Sequence, residues 1–176
     1  SDAVVAQFKG YERNLGDHMH LDGGHFSIYY KGNLAIDAGN YQGKGGGWGD
    51  PHAFHYDKRS IAHNVVTVYD PAEVFKFGAN NYANDGGQRM RRATIALDYE
   101  DLLTDDWLYA VTEGTYIGPQ DKTPAFSYLK TNLTPAYTDK IKSYKRSMVF
   151  MDLFGEDYPA AFVVYDNVTS SNKSFD

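Results

Sequence analysis

Hydrophobic positions along this chain alternate with polar ones far more often than they recur every three or four residues. Runs with the two-residue period of a half-buried strand fall at Val4–Phe8, His25–Tyr30, Leu34–Ile36, Asn64–Tyr69, Arg92–Leu97, Tyr109–Ile117, Ile141–Asp152 and Ala160–Val168. Each predicts a β-strand. Helical periodicity is weak throughout. The best helical stretch, DYEDLLTDDW from Asp98 to Trp107, is short and acidic, with Asp98 and Asp101 as candidate caps. Many strands separated by Gly- and Asn-rich turns predict an all-β fold, an antiparallel β-sandwich with little helix, in a single domain over residues 1–176.

Composition agrees with that pattern. Hydrophobic residues make up 42% and charged residues 23%, enough for a packed core. The 15 Tyr and 10 Phe suit a pleated surface, with stacking on sugar or base faces as their second use. A net charge of −6 argues against nucleic acid as a partner, although a local basic cluster can still hold an anion. No apolar run approaches the length of a membrane span, so no membrane partner is expected. The chain has no cysteine, which leaves His, Asp and Glu for any metal site. It opens SDAVVAQFKG, without Met, and stops soon after a strong strand; both features read as a piece of a longer chain.

Two glycine-rich loops interrupt the strands, Gly39–Phe54 and Gly78–Arg92. Neither carries a phosphate-loop or dinucleotide fingerprint. Loops of this length are usually functional or mobile.

The candidate chemistry begins with GDHMHLDGGHF. On extended chain, His18 and His20 would share one face, roughly 6–7 Å apart. Asp37 follows an apolar strand in AIDAG, and His63 opens an apolar run in SIAHNVV. A carboxylate beside a buried strand needs a partner, and two imidazoles plus a carboxylate are a legitimate zinc set with a fourth place for water. Calcium would prefer oxygens. The bland alternatives are an Asp37 that bonds turn amides, a core His63, and an Asp22 that only forms the LDGG turn. In FHYDKRSIAHN, Tyr56 beside cations is a candidate acid or base, and Arg59 a two-pronged clamp for carboxylate or sulfate. A strand edge with solvated charges is the simpler reading there. Arg89, Arg91 and Arg92 form either an anion patch or a solvated face. The nucleophile signature Gly-x-Ser-x-Gly is missing.

Taken together, HMHLDGGHFSIYYKGNLAIDAGNY, YDKRSIAHNVVTVYDP and NDGGQR resemble the β-sandwich region of the heparinase II/III-like polysaccharide lyases. KTPAFSYLKTNLTPAYTDKIKSYKRSMVFMDL extends the likeness, which runs from about Phe8 to the end. The resemblance implies part of a supersandwich-like domain that follows an N-terminal α/α toroid, with substrate held in the cleft between them. It implies β-elimination on uronic-acid glycosaminoglycans such as heparin and heparan sulfate. It also implies a structural zinc held by His20, Asp37 and His63, with His18 in the cleft as a catalytic residue together with Tyr56. Tyr41, Arg59 and Arg89 would face substrate. An acidic polysaccharide is the implied partner, the periplasm or the cell exterior the implied location, and there is room for a homodimer of the intact parent. The family's remaining catalytic groups come from the toroid, so this piece alone should show little or no lyase activity. Two other readings stand beside it: a lyase for alginate or another polyuronate, and a non-catalytic carbohydrate-binding sandwich braced by a metal.

Overall fold

The computed structural model describes residues 2–15, 18–38, 50–91, 95–120, 122 and 124–175. Among them, every strand pairing is antiparallel, and the fold is all-β with only short helical turns.

The largest sheet is an up-and-down meander of β6 (Val111–Gly118), β7 (Phe126–Asn132), β8 (Ile141–Asp152) and β9 (Ala160–Ser170), in that order. Sequence alternation explains β8 directly: Tyr144, Arg146 and Met148 turn inward on one face. A smaller sheet joins β1 (Val5–Phe8), β2 (Phe26–Tyr29) and β3 (Asn33–Ala35). The rings of Phe26 and Phe162, 5.4 Å apart, bring β2 against β9. Beside this contact, an apolar groove of about 280 Å³ runs between the sheets, lined by Phe8, Leu129, Met148 and Phe150 among others. A short hairpin, β4 (Phe75–Phe77) and β5 (Asn80–Tyr82), turns through Gly78 at φ +60°.

The core sits where the start of β8 meets the chain leaving β7. Tyr109, Leu133, Ala136, Tyr137, Ile141 and Tyr144 pack there with Leu21 and Val68. The acidic segment forms one turn of helix, α1 (Tyr99–Leu102). The Asp98 carboxylate accepts from the amide of Asp101, and the Asp101 carboxylate accepts from the amide of Leu97. The two aspartates cap the turn reciprocally.

Among the described residues, Asn64–Tyr69 and the end of the expected strand Arg92–Leu97 form no strand. Asn64–Tyr69 runs as irregular chain because other groups claim its backbone. The Asn64 amide donates to His25 Nδ1 (3.0 Å), the Asn64 carbonyl accepts from Arg146, and the Val66 carbonyl accepts from the Tyr137 hydroxyl (2.6 Å). Those polar groups are satisfied without a ladder partner. In Arg92–Leu97, residues 92–94 lie outside the described residues, while Ile95 and Leu97 are exposed and unladdered. The strand β7 and the hairpin β4–β5 had no counterpart in the alternation pattern.

A candidate metal centre

Three segments of the N-terminal half converge. The first carries His20. Its carbonyl accepts from the Asn14 side chain (3.0 Å) and the Tyr11 hydroxyl (3.1 Å). Immediately after it, the Asp22 carboxylate is buried against the Lys9 ammonium and the Tyr11 hydroxyl. Asp22 also closes the LDGG turn, its carbonyl accepting from the His25 amide at 2.9 Å. So Asp22 is more than a turn residue: it anchors the segment. Residues 18–20 are irregular, not the extended strand expected to set His18 and His20 on one face, because side chains and not a ladder hold this backbone.

The second segment is the end of β3. Asp37 lies two residues beyond it, and the next amide, Ala38, donates to the Ala62 carbonyl at 2.9 Å. The third is a single 3₁₀ turn, Ser60–Ala62, which delivers His63 at its end. The Ser60 hydroxyl donates to the Leu21 carbonyl (2.7 Å) and accepts from the Gln88 amide (2.8 Å). Gln88 in turn grips Gly23 with both ends of its side-chain amide, 3.0 and 2.7 Å from the Gly23 nitrogen and oxygen. The stretches LDGG, RSIAHN and NDGGQR therefore interlock. Gly24 fits its place because of its backbone: it sits at φ +86°, where a Cβ would come within 2.5 Å of Leu133.

These tethers place the Asp37 carboxylate between two imidazoles. One oxygen lies 3.2 Å from His63 Nδ1, the other 3.7 Å from His20 Nδ1, and the two rings are 5.2 Å apart. One donor atom from each of the three residues lies within 4.8 Å of the others. Ligands about 2.0–2.1 Å from a tetrahedral zinc stand roughly 3.3 Å from each other, and the two Asp37 contacts, 3.2 and 3.7 Å, come near that spacing. The His63 side chain is fully buried, and among the described residues neither of its ring nitrogens has a hydrogen-bond partner. A buried imidazole left in that condition is costly, and coordination would relieve it. Burial, ahead of any neighbouring charge, pulls the pKa of His20 below the ordinary histidine value, which favours the neutral, ligating form. The chemistry of the set therefore fits zinc. Asp37 also borders an open polar cavity of about 350 Å³ that Lys9, His25 and Asn33 help to line, which leaves space for a further ligand.

His25 adds a third ring. It stands edge-on to His63 at 5.3 Å, and burial brings its pKa down to about 4. Its Nδ1 accepts from the Asn64 amide, so Nε2 carries the proton. Behind it lies a group that the strand pattern did not reveal. The buried Arg146 of β8 pairs two-pronged with Asp166 at 2.7 and 2.8 Å. Its remaining nitrogen donates to the Gly24 carbonyl (2.7 Å) and the Asn64 carbonyl (2.6 Å). Arg146 thus fastens the residues beside His25 and His63 to the main sheet. The signal for it was present in the sequence as an arginine on the inward register of an alternating strand.

The other candidates lie apart from the trio. His18 is exposed in a turn. Tyr56 is half-buried in the turn Ala53–Asp57, stacked on His52 at 5.4 Å. Tyr41 lies outside the described residues. Arg59 is 1% exposed, donates to Asp85 (2.6 Å) and the Ala83 carbonyl (3.0 Å), and lies over the Phe75 ring. Arg89 spends its guanidinium on the carbonyls of Pro135, Asp105 and Leu108 and on the Tyr109 ring. That placement makes Arg89 a brace of the core.

A scan against protein-family models and a search of curated proteins found no match to this chain.

Proposed function

We propose that this chain is the β-sandwich part of a polysaccharide lyase that cleaves uronic-acid glycosaminoglycan by β-elimination, braced by a structural zinc. The observation that carries the reading is the convergence of His20, Asp37 and His63, three residues from three separate segments, around a fully buried imidazole. The motif resemblance to heparinase II/III-like lyases accounts for those same three residues.

In this reading His20, Asp37 and His63 would hold the zinc, which would supply a cross-link between the three segments. The chain's own groups do the rest. Tyr11 and Asn14 fix the carbonyl of His20. With that point held, the backbone two residues earlier is restrained, and His18 is presented at the surface, where a sugar can reach it. Proton removal next to the uronate carboxylate also needs that carboxylate neutralised and a leaving oxygen protonated. We assign those tasks to a toroid that would pack against this surface in the intact parent. The chain alone binds metal and has little or no lyase activity. The work belongs to the periplasm or the cell exterior.

The test uses the full-length parent with heparin, heparan sulfate and alginate, following the ultraviolet absorbance of an unsaturated uronate product. The expected result is product from a glycosaminoglycan and a severe loss of rate in His18→Ala. Product from alginate alone would move the assignment to polyuronate lyases. Sugar binding without product from any of the three would leave a metal-braced binding module and sink the lyase reading.

A further inference from the structure

The turn that leads into RSIAHN holds a second pair of metal-ligating side chains, apart from the trio. In DPHAFHYD, His52 and Asp57 stand five positions apart. Asp50 fixes the start of the turn. Its carboxylate accepts from the His52 amide and its carbonyl from the Ala53 amide, each at 2.9 Å. Ala53–Asp57 then closes as a single π turn, the Lys58 amide donating to the Ala53 carbonyl five positions back at 2.9 Å. Positions five apart diverge on an α-helix, but the wider π turn brings them toward one side. Such turns are rare and recur at functional sites.

Asp57 is 1% exposed, and among the described residues neither of its carboxylate oxygens has a hydrogen-bond partner. The two cations that follow it in sequence do not donate to it. Arg59 bonds Asp85 and the Ala83 carbonyl, and the Lys58 ammonium lies 4.7 Å from the centre of the Phe54 ring. The group that faces Asp57 is His52, with Nε2 3.6 Å from Oδ1. That gap is too long for a hydrogen bond. It is near the roughly 3.3 Å between two ligands of one zinc-sized ion. The His52 side chain is 42% exposed and stacks on Tyr56 at 5.4 Å, so the pair is open to solvent on the imidazole side. A buried carboxylate without hydrogen bonds is costly, and a cation held between the two groups would relieve it.

We infer that His52 and Asp57 form a second binding site for a divalent transition-metal ion of the zinc class, with water in the positions the protein leaves open. The donor pair sets the class: an imidazole nitrogen suits zinc, cobalt or nickel, whereas calcium and magnesium ask for oxygens. Two protein ligands in place of three make this site weaker than the trio. It stays empty at zinc concentrations that saturate the trio, and it empties on desalting, so only titration at equilibrium reads it. An ion here would lock the turn whose Pro51, Phe54 and His55 line an open cleft of about 420 Å³. The site shares no residue with the His20–Asp37–His63 cluster and does not depend on the lyase reading.

Calorimetric titration of the untagged chain with zinc chloride tests this. Asp37→Asn takes the trio out of the measurement. In that background we expect one saturable zinc site that excess calcium does not displace. His52→Ala and Asp57→Asn should each weaken it at least about tenfold. His55→Ala, which removes a neighbouring exposed imidazole, should leave it unchanged. If Asp37→Asn does not fold, the wild-type chain is titrated instead, and the same two variants should remove only the weaker of two steps. Melting curves are recorded for each variant. If Asp57→Asn unfolds, His52→Ala carries the test, because His52 is exposed. No saturable site besides the trio, or binding equal in wild type, His52→Ala and Asp57→Asn, overturns the inference. So does a site lost in His55→Ala and kept in Asp57→Asn, which would be a surface histidine pair. Loss of the trio's zinc alone would sink the structural-zinc reading and leave this site standing.

Discussion

His63 Nδ1 lies 3.2 Å from Asp37 Oδ1, and the imidazole that carries it is fully buried, with neither nitrogen hydrogen-bonded among the described residues. Zinc at a hundredfold excess over its Kd should stabilise the fold by about 2.7 kcal/mol. For a chain of this size that is a rise of roughly 5–10 °C in melting temperature. Chelator should reverse the rise, and Asp37→Asn or His63→Ala should abolish both the shift and the bound metal. Elemental analysis together with thermal melts checks this; a melt indifferent to zinc and chelator would refute the site.

Arg146 should matter as much as a ligand while touching no metal. Arg146→Met strands Asp166 and two buried carbonyls, and a loss of about 3–5 kcal/mol is expected in urea unfolding. Zinc affinity should fall about 10–100-fold in the protein that remains folded. Lysine should not rescue, since an ammonium cannot span both Asp166 oxygens and both carbonyls.

Lys140 is buried with its ammonium on Glu73 and the Gly87 carbonyl (2.7 Å), and burial, against the pull of Glu73, lowers its pKa from the ordinary lysine value. Glu73→Gln should therefore cost about 3–5 kcal/mol by leaving a buried charge without its counter-ion. Adding Lys140→Met should recover most of that loss, because the charge itself is then gone. A double-mutant cycle in urea reads the difference.

Tyr109 should help set the alkaline limit, beside the buried phenols of Tyr11, Tyr137 and Tyr144, which burial also pushes up. Burial pushes the Tyr109 phenol from 10.0 to about 12, against the pull of Arg89 and Arg91, and its hydroxyl donates to the Arg89 carbonyl at 2.6 Å. The unfolded chain loses this proton first. The contribution is therefore whole below pH 10 and is lost as pH rises toward about 12. Melting temperature should fall across that window, and the fall should be shallower in Tyr109→Phe.

How much of this could be read from the sequence depended on whether a residue's neighbours were local. β8 was legible from Ile141 to Asp152 because its two faces meet different surroundings and the alternation is clean. β7, between β6 and β8, is half-buried on most positions and carries Ser127, Lys130 and Thr131 among its aromatics, so its period is blurred. Asn64–Tyr69 misled for the opposite reason: VVTVY has strand propensity, but His25, Tyr137 and Arg146 take the hydrogen bonds a ladder would need. The residue types of the metal trio were visible; their meeting depends on contacts such as Ala38 with Ala62 that no local pattern encodes. Arg59 stood out as a cation in a motif, while its burial against Asp85 and Phe75 came only from the fold.

Arg146 reaches back across 122 positions to Gly24 and across 82 to Asn64. All three proposed ligands are synthesised long before it. During translation the ligand-bearing half would emerge with its carbonyls unpinned and wait for β8 and β9 to be made and paired. Closing contacts over such spans is slow. A nascent chain halted ahead of β8 would hold every proposed ligand and still lack the contacts that pin them, so the β8–β9 hairpin would decide when the proposed metal could be captured.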